Sequence, residues 1–153
     1  MAAHFSLVIN CADPDRMSRF WAAALGYVPE PPPGGAASWD EYWRSVGVPE
    51  EDLGPDEGRI IDPDGRRPRI WFQVVPDPKA VKNRLHIDIH ASSDDPVRNL
   101  RDIPIEVRKE RVDAAASRLA ALGATKVAVL QEEGLDFYAI AMRDPEGNEF
   151  DIN

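Results

Sequence analysis

The sequence predicts an α+β protein made of two tandem βαβββ modules, because its landmarks occur twice and in the same order. Two strand patterns that contain Ser6 and His86 lie 80 positions apart, and a DPDG turn at 62–65 precedes a DPEG turn at 144–147 by 82 positions. A helical pattern ending in Ala-Leu-Gly lies between each strand and its turn. We expect the modules to form a cupped eight-stranded mixed sheet around one cleft, with the helices outside.

Length and composition indicate a single domain over residues 1–153, which is long enough to bury a sizeable core. We expect its boundaries as follows: module one at 4–80 with an insertion at 29–57, and module two at 82–153 with an insertion at 92–108. The insertions explain why the two helical patterns lie 97 positions apart, whereas the strands lie only 80 apart.

The charge balance excludes some classes of partner. The chain has 18 basic and 27 acidic residues, a formal net charge of −9, which argues against nucleic acid or an anionic membrane surface. No apolar stretch approaches the length of a membrane span, and the N-terminus lacks the pattern of a secretion signal. With a single cysteine, Cys11, these features predict a cytoplasmic protein that binds a small molecule or another protein.

Module one is expected to begin with a strand over residues 5–10, where apolar and polar residues alternate. Asp13 then caps a helix that has Pro14 at its first position, and apolar residues recur at helical spacing until Gly26. Gly26 suits the left-handed position that ends a helix. The segments 59–62 and 69–75 flank the DPDG turn and predict a β-hairpin.

The first insertion contains a second, short helix. Ser38 and Glu41 form a capping box, which predicts that a helix begins here. This helix carries three large aromatic residues, Trp39, Tyr42 and Trp43, which other groups must cover. Two interpretations stay open: the rings pad the core or a subunit contact, or they form a lid over the cleft.

Module two repeats the pattern of module one. Residues 85–90 form a strand with apolar residues on the side of the helix and with His86, Asp88 and His90 on the other side. The second helix carries an apolar face from Val112 to Leu122. The remaining strands are expected around residues 125–130, 137–143 and 148–152.

The polar faces of the leading and closing strands predict the residues of the cleft. His86 and His90 are four residues apart on one strand, about 13 Å, which is too far for both to bind one ion. At most one of these two histidines is therefore a metal ligand. The predicted cleft residues are Ser6, Asn10, Trp71, Gln73, His86, Asp88, His90, Glu149 and Asp151.

Three segments carry a resemblance to a known superfamily: FWAAALGY at 20–27, KNRLHID at 82–88 and DPEGNEF at 144–150. Together they resemble the vicinal oxygen chelate superfamily, which includes glyoxalases, bleomycin resistance proteins and extradiol dioxygenases. The chain is most similar to the glyoxalase-like bacterial members, and the likeness covers nearly the whole chain apart from the two insertions.

The resemblance implies a metal site. Metal-dependent members carry ligands at four equivalent places, which correspond here to Ser6, Gln73, His86 and Asp151. Only His86 has the usual residue type, and a neutral hydroxyl at Ser6 is a weak ligand, so classical glyoxalase I activity is not expected. The resemblance therefore implies one divalent ion (Zn, Ni, Mn or Fe) on His86, Gln73 and Asp151, or no metal at all. Asp151 or Asp88 would bind the ion or act as the catalytic base.

Three functions stay open at this point. The first is a metal-assisted lyase, isomerase or dioxygenase that binds a small molecule in the cleft. The second is a metal-free protein that sequesters a small molecule, as bleomycin resistance proteins do, with His86 held by Asp88 or Asp151 alone. The third is a protein-interaction module that uses the aromatic residues of the first insertion. The resemblance also implies a homodimer.

Overall fold

The computed structural model describes residues 3–53, 58–93 and 100–153, so that parts of the two predicted insertions, 54–57 and 94–99, lie outside the described residues. The chain forms two compact units, Met1–Pro78 and Lys79–Asn153. Each unit contains a four-stranded mixed sheet, and each has the βαβββ order that the sequence predicts. The α+β class and the tandem modules are confirmed.

In module one the sheet has the strand order β1-β4-β3-β2, in which β1 and β4 are parallel and the other neighbours are antiparallel. The predicted short helix is present in the insertion between β2 and β3. The elements are β1 (Leu7–Cys11), α1 (Pro14–Leu25), β2 (Val28–Pro29), α2 (Trp39–Ser45), β3 (Arg59–Ile61) and β4 (Ile70–Val74).

Helix α1 begins and ends where its local signals predict. The Asp13 carboxylate accepts a hydrogen bond from the backbone N–H of Arg16 at 2.9 Å, and Gly26 ends the helix with φ of 70°. Its apolar face, which includes Met17 and Phe20, is buried where α1 packs on β4. On that side of the sheet Phe72 is fully buried, so one face of the sheet is the core of module one.

Module two has the same topology. Its sheet has the order β5-β8-β7-β6, with β5 and β8 parallel and the other neighbours antiparallel. Helix α3 begins at Ile105, well before the apolar pattern that starts at Val112. The elements are β5 (Asp88–Ile89), α3 (Ile105–Ala121), β6 (Thr125–Leu130), β7 (Ala139–Arg143) and β8 (Glu149–Ile152). Among the described residues, no helix is both long and apolar enough to cross a membrane.

The two DPxG turns have the same construction. The buried Asp144 carboxylate accepts hydrogen bonds from the backbone N–H groups of Glu146 at 3.0 Å and Asn148 at 2.9 Å. Asp62 does the same in module one. Burial alone would raise its pKa, but hydrogen bonds from three backbone N–H groups outweigh this effect and lower the pKa below its usual value. The glycine of each turn has positive φ, 65° at Gly65 and 87° at Gly147. Each turn therefore fixes the connection into its module's closing strand.

Both leading strands are shorter than the alternation predicts. Strand β1 begins at Leu7, where pairing with Ile70 begins, and β5 begins at Asp88. Phe5 is 66% exposed and Leu85 is 87% exposed, so the prediction that they face the helix is wrong. The alternating pattern continues past the residues that have a partner strand, and beyond that point no sheet face exists to bury a side chain.

Strand β6 forms one edge of its sheet. All six of its residues are exposed, including Val127 and Val129, and its pairing with β7 shifts register between Lys126 and Ala128. Within residues 3–53, 58–93 and 100–153, only β7 pairs with β6, so one row of its backbone groups has no neighbouring strand there.

Replacement of Asp144 with alanine should destabilise the protein. The substitution leaves the turn's backbone N–H groups without their acceptor, and we expect the free energy of unfolding in urea to fall by about 1–3 kcal/mol. Asp64→Ala is the matched control, because this side chain is exposed in the other turn; it should change the free energy by less than about 0.5 kcal/mol. An equal effect of the two substitutions would contradict this account of the turn.

Candidate functional site

The polar side chains of module two lie along two parallel strands. Asp88 of β5 has Asp151 of β8 as its Cα partner, and side chains of paired residues in parallel strands point to the same face. On the opposite face Phe150 and Ile152 are fully buried under α3. Because His86 precedes Asp88 by two residues, it lies on the polar face as well. The sheet itself therefore separates a polar surface from the core.

Three of the predicted site residues meet on this surface. His86 Nε2 lies 3.1 Å from Asp88 Oδ1 and 3.5 Å from Asp151 Oδ2. One ligand atom from each of the three residues lies within 4.8 Å of the other two. Ligand atoms bound at about 2.0–2.2 Å around a tetrahedral zinc ion are roughly 3.3–3.6 Å apart. The two contacts of His86 lie close to this range, and imidazole and carboxylate are donor types that divalent ions take; we call the three residues the His–Asp cluster.

The His–Asp cluster is accessible from solvent. The side chains of His86, Asp88 and Asp151 are 49%, 44% and 27% exposed. A small molecule can therefore reach these atoms directly. The same contacts also satisfy the imidazole without an ion, since either carboxylate can pair with Nε2.

A cavity of about 510 Å³ lies beside the His–Asp cluster within module two. Asp151 lines this cavity as well as belonging to the cluster, so the two features are continuous. Three basic side chains line the cavity, those of Lys79, Lys82 and Arg143, together with the acidic side chains of Glu146 and Glu149. A cavity of this size suits a small molecule.

Glu149 holds the wall of the cavity in place. Its Oε2 atom accepts a hydrogen bond from the backbone N–H of Asn83 at 3.0 Å and lies 3.1 Å from Lys79 Nζ. The hydrogen bond from Asn83 lowers the pKa of Glu149 to about 2, against the opposing effect of desolvation, and Lys79 adds to the lowering. Glu149 therefore ties the segment that leads into β5 to the closing strand β8.

The other predicted cleft residues lie in two places. His90 makes a 2.5 Å contact from Nδ1 to Asn153 Oδ1, at the far end of the polar face from the cavity. Ser6 is exposed and precedes β1. In module one Asn10 has Gln73 as its Cα partner, and Trp71 lies on the same face of β4 as Gln73. Whether these module-one residues line the cleft stays a prediction.

The strand registers give the equivalence between the modules. Val8 pairs with Trp71 in module one as Asp88 pairs with Asp151 in module two, while Asn10 pairs with Gln73 as His90 pairs with Asn153. By this equivalence Trp71, not Gln73, takes the place of Asp151. The ligand role of Gln73 stays a prediction that rests on the resemblance alone.

The sequence predicts Asp88 in the cleft, either as a ligand of the ion or as the base. In the structure its Oδ1 atom lies 3.1 Å from His86 Nε2. The signal for this contact was present in the spacing, because residues two apart on a strand share a face. Its distance to Asp151, however, depends on the pairing of two strands that are far apart in the sequence.

Comparison with known proteins identifies the family. Residues 6–153 match the sequence model of the glyoxalase-like domain family. The chain therefore belongs to this family, within the vicinal oxygen chelate superfamily. No match to a curated protein was found.

Solved structures of several relatives share the fold at low identity. One is a glyoxalase/bleomycin resistance protein/dioxygenase family enzyme from Burkholderia phytofirmans PsJN, with a TM-score of 0.60 and 18% identity over 99% of this chain and 98% of that one. A second is a mutant of the fosfomycin resistance protein FosX from Listeria monocytogenes, complexed with Mn(II) and 1S,2S-dihydroxypropylphosphonic acid; its TM-score is 0.60 with 12% identity over 100% and 92%. A third is TioX from Micromonospora sp. ML1, with a TM-score of 0.50 and 14% identity over 99% and 97%.

The lowered pKa of Glu149 predicts a pH dependence of stability. Because the pKa is about 2 in the folded protein against 4.5 for a free glutamate, the charged carboxylate stabilises the fold fully above pH 4.5 and loses this effect as the pH falls toward 2. Urea unfolding of the wild-type protein and of Glu149→Gln should therefore differ at pH 7 and converge as the pH falls from 4.5 to 3.

Glu133→Gln, on an exposed loop, is the control for loss of one negative charge. It should follow the wild-type pH dependence throughout. A difference between wild type and Glu149→Gln that stays constant down to pH 3 would show that the hydrogen bond from Asn83 does not lower the pKa of Glu149.

Proposed function

We propose that the protein binds a small molecule beside one divalent metal ion, which His86, Asp88 and Asp151 hold in module two. The observation that carries this proposal is the convergence of three ligand atoms within 4.8 Å at the edge of a cavity of about 510 Å³. Membership of the glyoxalase-like domain family supports it, as does the FosX relative, which was crystallised with Mn(II) and a phosphonate. Gln73 is the candidate for a further ligand.

One imidazole nitrogen and two carboxylate oxygens suit Zn, Mn, Fe or Ni. A bound ion would polarise the oxygen atoms of the ligand and stabilise an oxyanion. Either carboxylate, Asp88 or Asp151, would accept a proton from the ligand in place of its bond to the ion, because both border the proposed metal site. This chemistry suits a lyase, an isomerase or a dioxygenase, and the hydroxyl at Ser6 makes glyoxalase I activity a poor fit.

The charges of the cavity favour an anionic ligand. Lys79 and Glu149 form an ion pair and neutralise one another. Lys82 and Arg143 then balance Glu146 and Asp151 among the lining residues, so that a bound divalent ion would make the cavity positive. A small anion with an oxygen donor would therefore contact both the metal ion and the basic side chains.

A second candidate function is metal-free sequestration of a small molecule. It is favoured by the contacts of His86 with both carboxylates, which satisfy the imidazole without an ion.

The third possibility, a protein-interaction module, has weaker support, because Trp39, Tyr42 and Trp43 are half-buried and pack on one another instead of forming an exposed surface. We further propose that the protein is cytoplasmic and forms a homodimer.

Metal analysis separates the first two functions. Protein purified without chelator should contain one divalent ion per chain, and titration calorimetry with Mn²⁺ or Zn²⁺ on chelator-treated protein should give the same stoichiometry. Because each variant removes a ligand atom, we expect His86→Ala and Asp151→Asn to weaken binding by at least about 100-fold. Binding of no ion by the wild-type protein would contradict the proposal and favour sequestration.

Two further variants complete this experiment. His90→Ala is the matched control, because it removes a histidine of the same strand that contacts Asn153 away from the His–Asp cluster, and it should leave the affinity within about twofold. Gln73→Ala tests the further ligand. A loss of about 100-fold in Gln73→Ala would establish Gln73 as a ligand, whereas unchanged affinity would restrict the protein's ligands to module two.

A further inference from the structure

The cavity beside the His–Asp cluster, called here the module-two cavity, extends from β8 across β7 to β6. Asp151 of β8 has Ala141 of β7 as its antiparallel partner, and paired residues place their side chains on the same face of a sheet. Both residues line the cavity. Because alanine has only a methyl group, space remains over β7 at this position. Ala141 therefore forms the floor of the cavity next to the proposed metal site.

Arg143 lies further along the same face of β7. It is two residues beyond Ala141 and also lines the cavity. In an antiparallel sheet, a residue two positions from the direct partner lies diagonally, with about 7–8 Å between the Cα atoms. This relation joins Asp151 and Arg143. A short ligand that starts at the His–Asp cluster can therefore cross Ala141 and reach the guanidinium.

Two positive charges of the module-two cavity have no partner. Arg143 and Lys82 both line it, and neither side chain makes a hydrogen bond or an ion pair in the part of the chain that the structure describes. Glu149, the partner of Arg143 across the sheet, is held instead by Lys79 and by the backbone of Asn83. The charges of Arg143 and Lys82 are therefore available to a ligand.

The charge balance favours a second anionic group on that ligand. A divalent ion on the His–Asp cluster would cancel the charges of its two carboxylates. Apart from the ion pair of Lys79 and Glu149, the other charged lining residues are then Lys82, Arg143 and Glu146. One positive charge is in excess among them, in a chain whose net charge is −9. Such a local reversal attracts a negative group.

We propose that the ligand is a short 2-hydroxy dicarboxylate whose second carboxylate binds to Arg143 and Lys82. This inference rests on the proposed function, because the hydroxyl and the first carboxylate are the oxygen donors for the ion. The diagonal from Asp151 to Arg143 suits a ligand of roughly four or five carbon atoms. A guanidinium forms strong, paired hydrogen bonds with a carboxylate, so Arg143 selects a dicarboxylate over a monocarboxylate of the same length.

Two acids of equal length test the proposal on the wild-type protein loaded with Mn²⁺. 2-Hydroxyglutarate has a carboxylate at each end, whereas 2-hydroxypentanoate has a methyl group in place of the second carboxylate. We expect titration calorimetry to give one molecule of 2-hydroxyglutarate per chain, with an affinity at least about tenfold above that of 2-hydroxypentanoate. Equal affinities, or no binding at millimolar concentration, would overturn the proposal.

Arg143→Gln and Lys82→Gln test which side chains bind the second carboxylate. Each removes one positive charge, so each should lower the affinity for 2-hydroxyglutarate about tenfold and reduce the preference over 2-hydroxypentanoate accordingly. Arg84→Gln is the matched control, because it removes an exposed arginine two residues from Lys82 that does not line the cavity. It should keep the preference within about twofold. An equal effect of Arg84→Gln would indicate a general effect of charge and overturn the role of Arg143.

Ala141→Leu tests the space over β7. The larger side chain should fill the cavity beside Asp151 and weaken the binding of both acids at least about tenfold. The affinity for Mn²⁺ should be retained, because Ala141 does not belong to the His–Asp cluster. Unchanged binding of both acids to Ala141→Leu would show that the ligand does not cross β7 at this position.

Failure of this proposal is distinguishable from failure of the proposed function. If the wild-type protein binds no Mn²⁺, the metal site is contradicted, and the two acids are compared on the metal-free protein. A preference for 2-hydroxyglutarate that Arg143→Gln removes would then support the role of Arg143, whereas no preference would overturn it. Melting temperatures identify any variant that fails to fold, and in that case the comparison of the two acids on wild-type protein decides alone.

Discussion

The parallel pairing of each module's first strand with its last strand is the constraint on which the site depends. In module two this pairing places Asp88 opposite Asp151 and brings His86 within 3.5 Å of both carboxylates. A slip of one residue would turn the acidic side chains of β8 toward α3 and bring Phe150 and Ile152 out of the core. The core therefore fixes the register, and the register in turn assembles the His–Asp cluster.

Local signals predicted the elements well, because the relevant interactions lie within a few residues. The cap at Asp13, the left-handed glycine at Gly26 and the capping box at Ser38 are all observed. The strand ends were harder to predict, as Phe5 and Leu85 show. An alternating pattern records which residues tolerate burial, but only the partner strand determines where burial begins.

The site was predicted only in part, because local patterns specify the polar face of a strand but not its contacts with distant strands. The polar face of β5 follows from alternation alone, so that His86 and Asp88 were recognised together. Their meeting with Asp151 depends on strands more than 60 residues apart, and neither periodicity nor spacing specifies this contact. The rings of Trp39, Tyr42 and Trp43 were anticipated only as a group that needed cover, because the Arg59 guanidinium over Trp39 comes from strand β3, outside helix α2. Equivalent positions of the two modules have different residue types: Val8 and Trp71 in module one, and Asp88 and Asp151 in module two.

Strand β6 has a consequence for the behaviour of the protein at high concentration. Its open edge and its exposed valines form a template to which a strand of another molecule can add, which is the first step of β-sheet aggregation. The register shift beside Lys126 works against this, because a bulge twists the edge and a charged side chain penalises a flat intermolecular sheet. Lys126 and the register shift therefore oppose the addition of further strands at this edge.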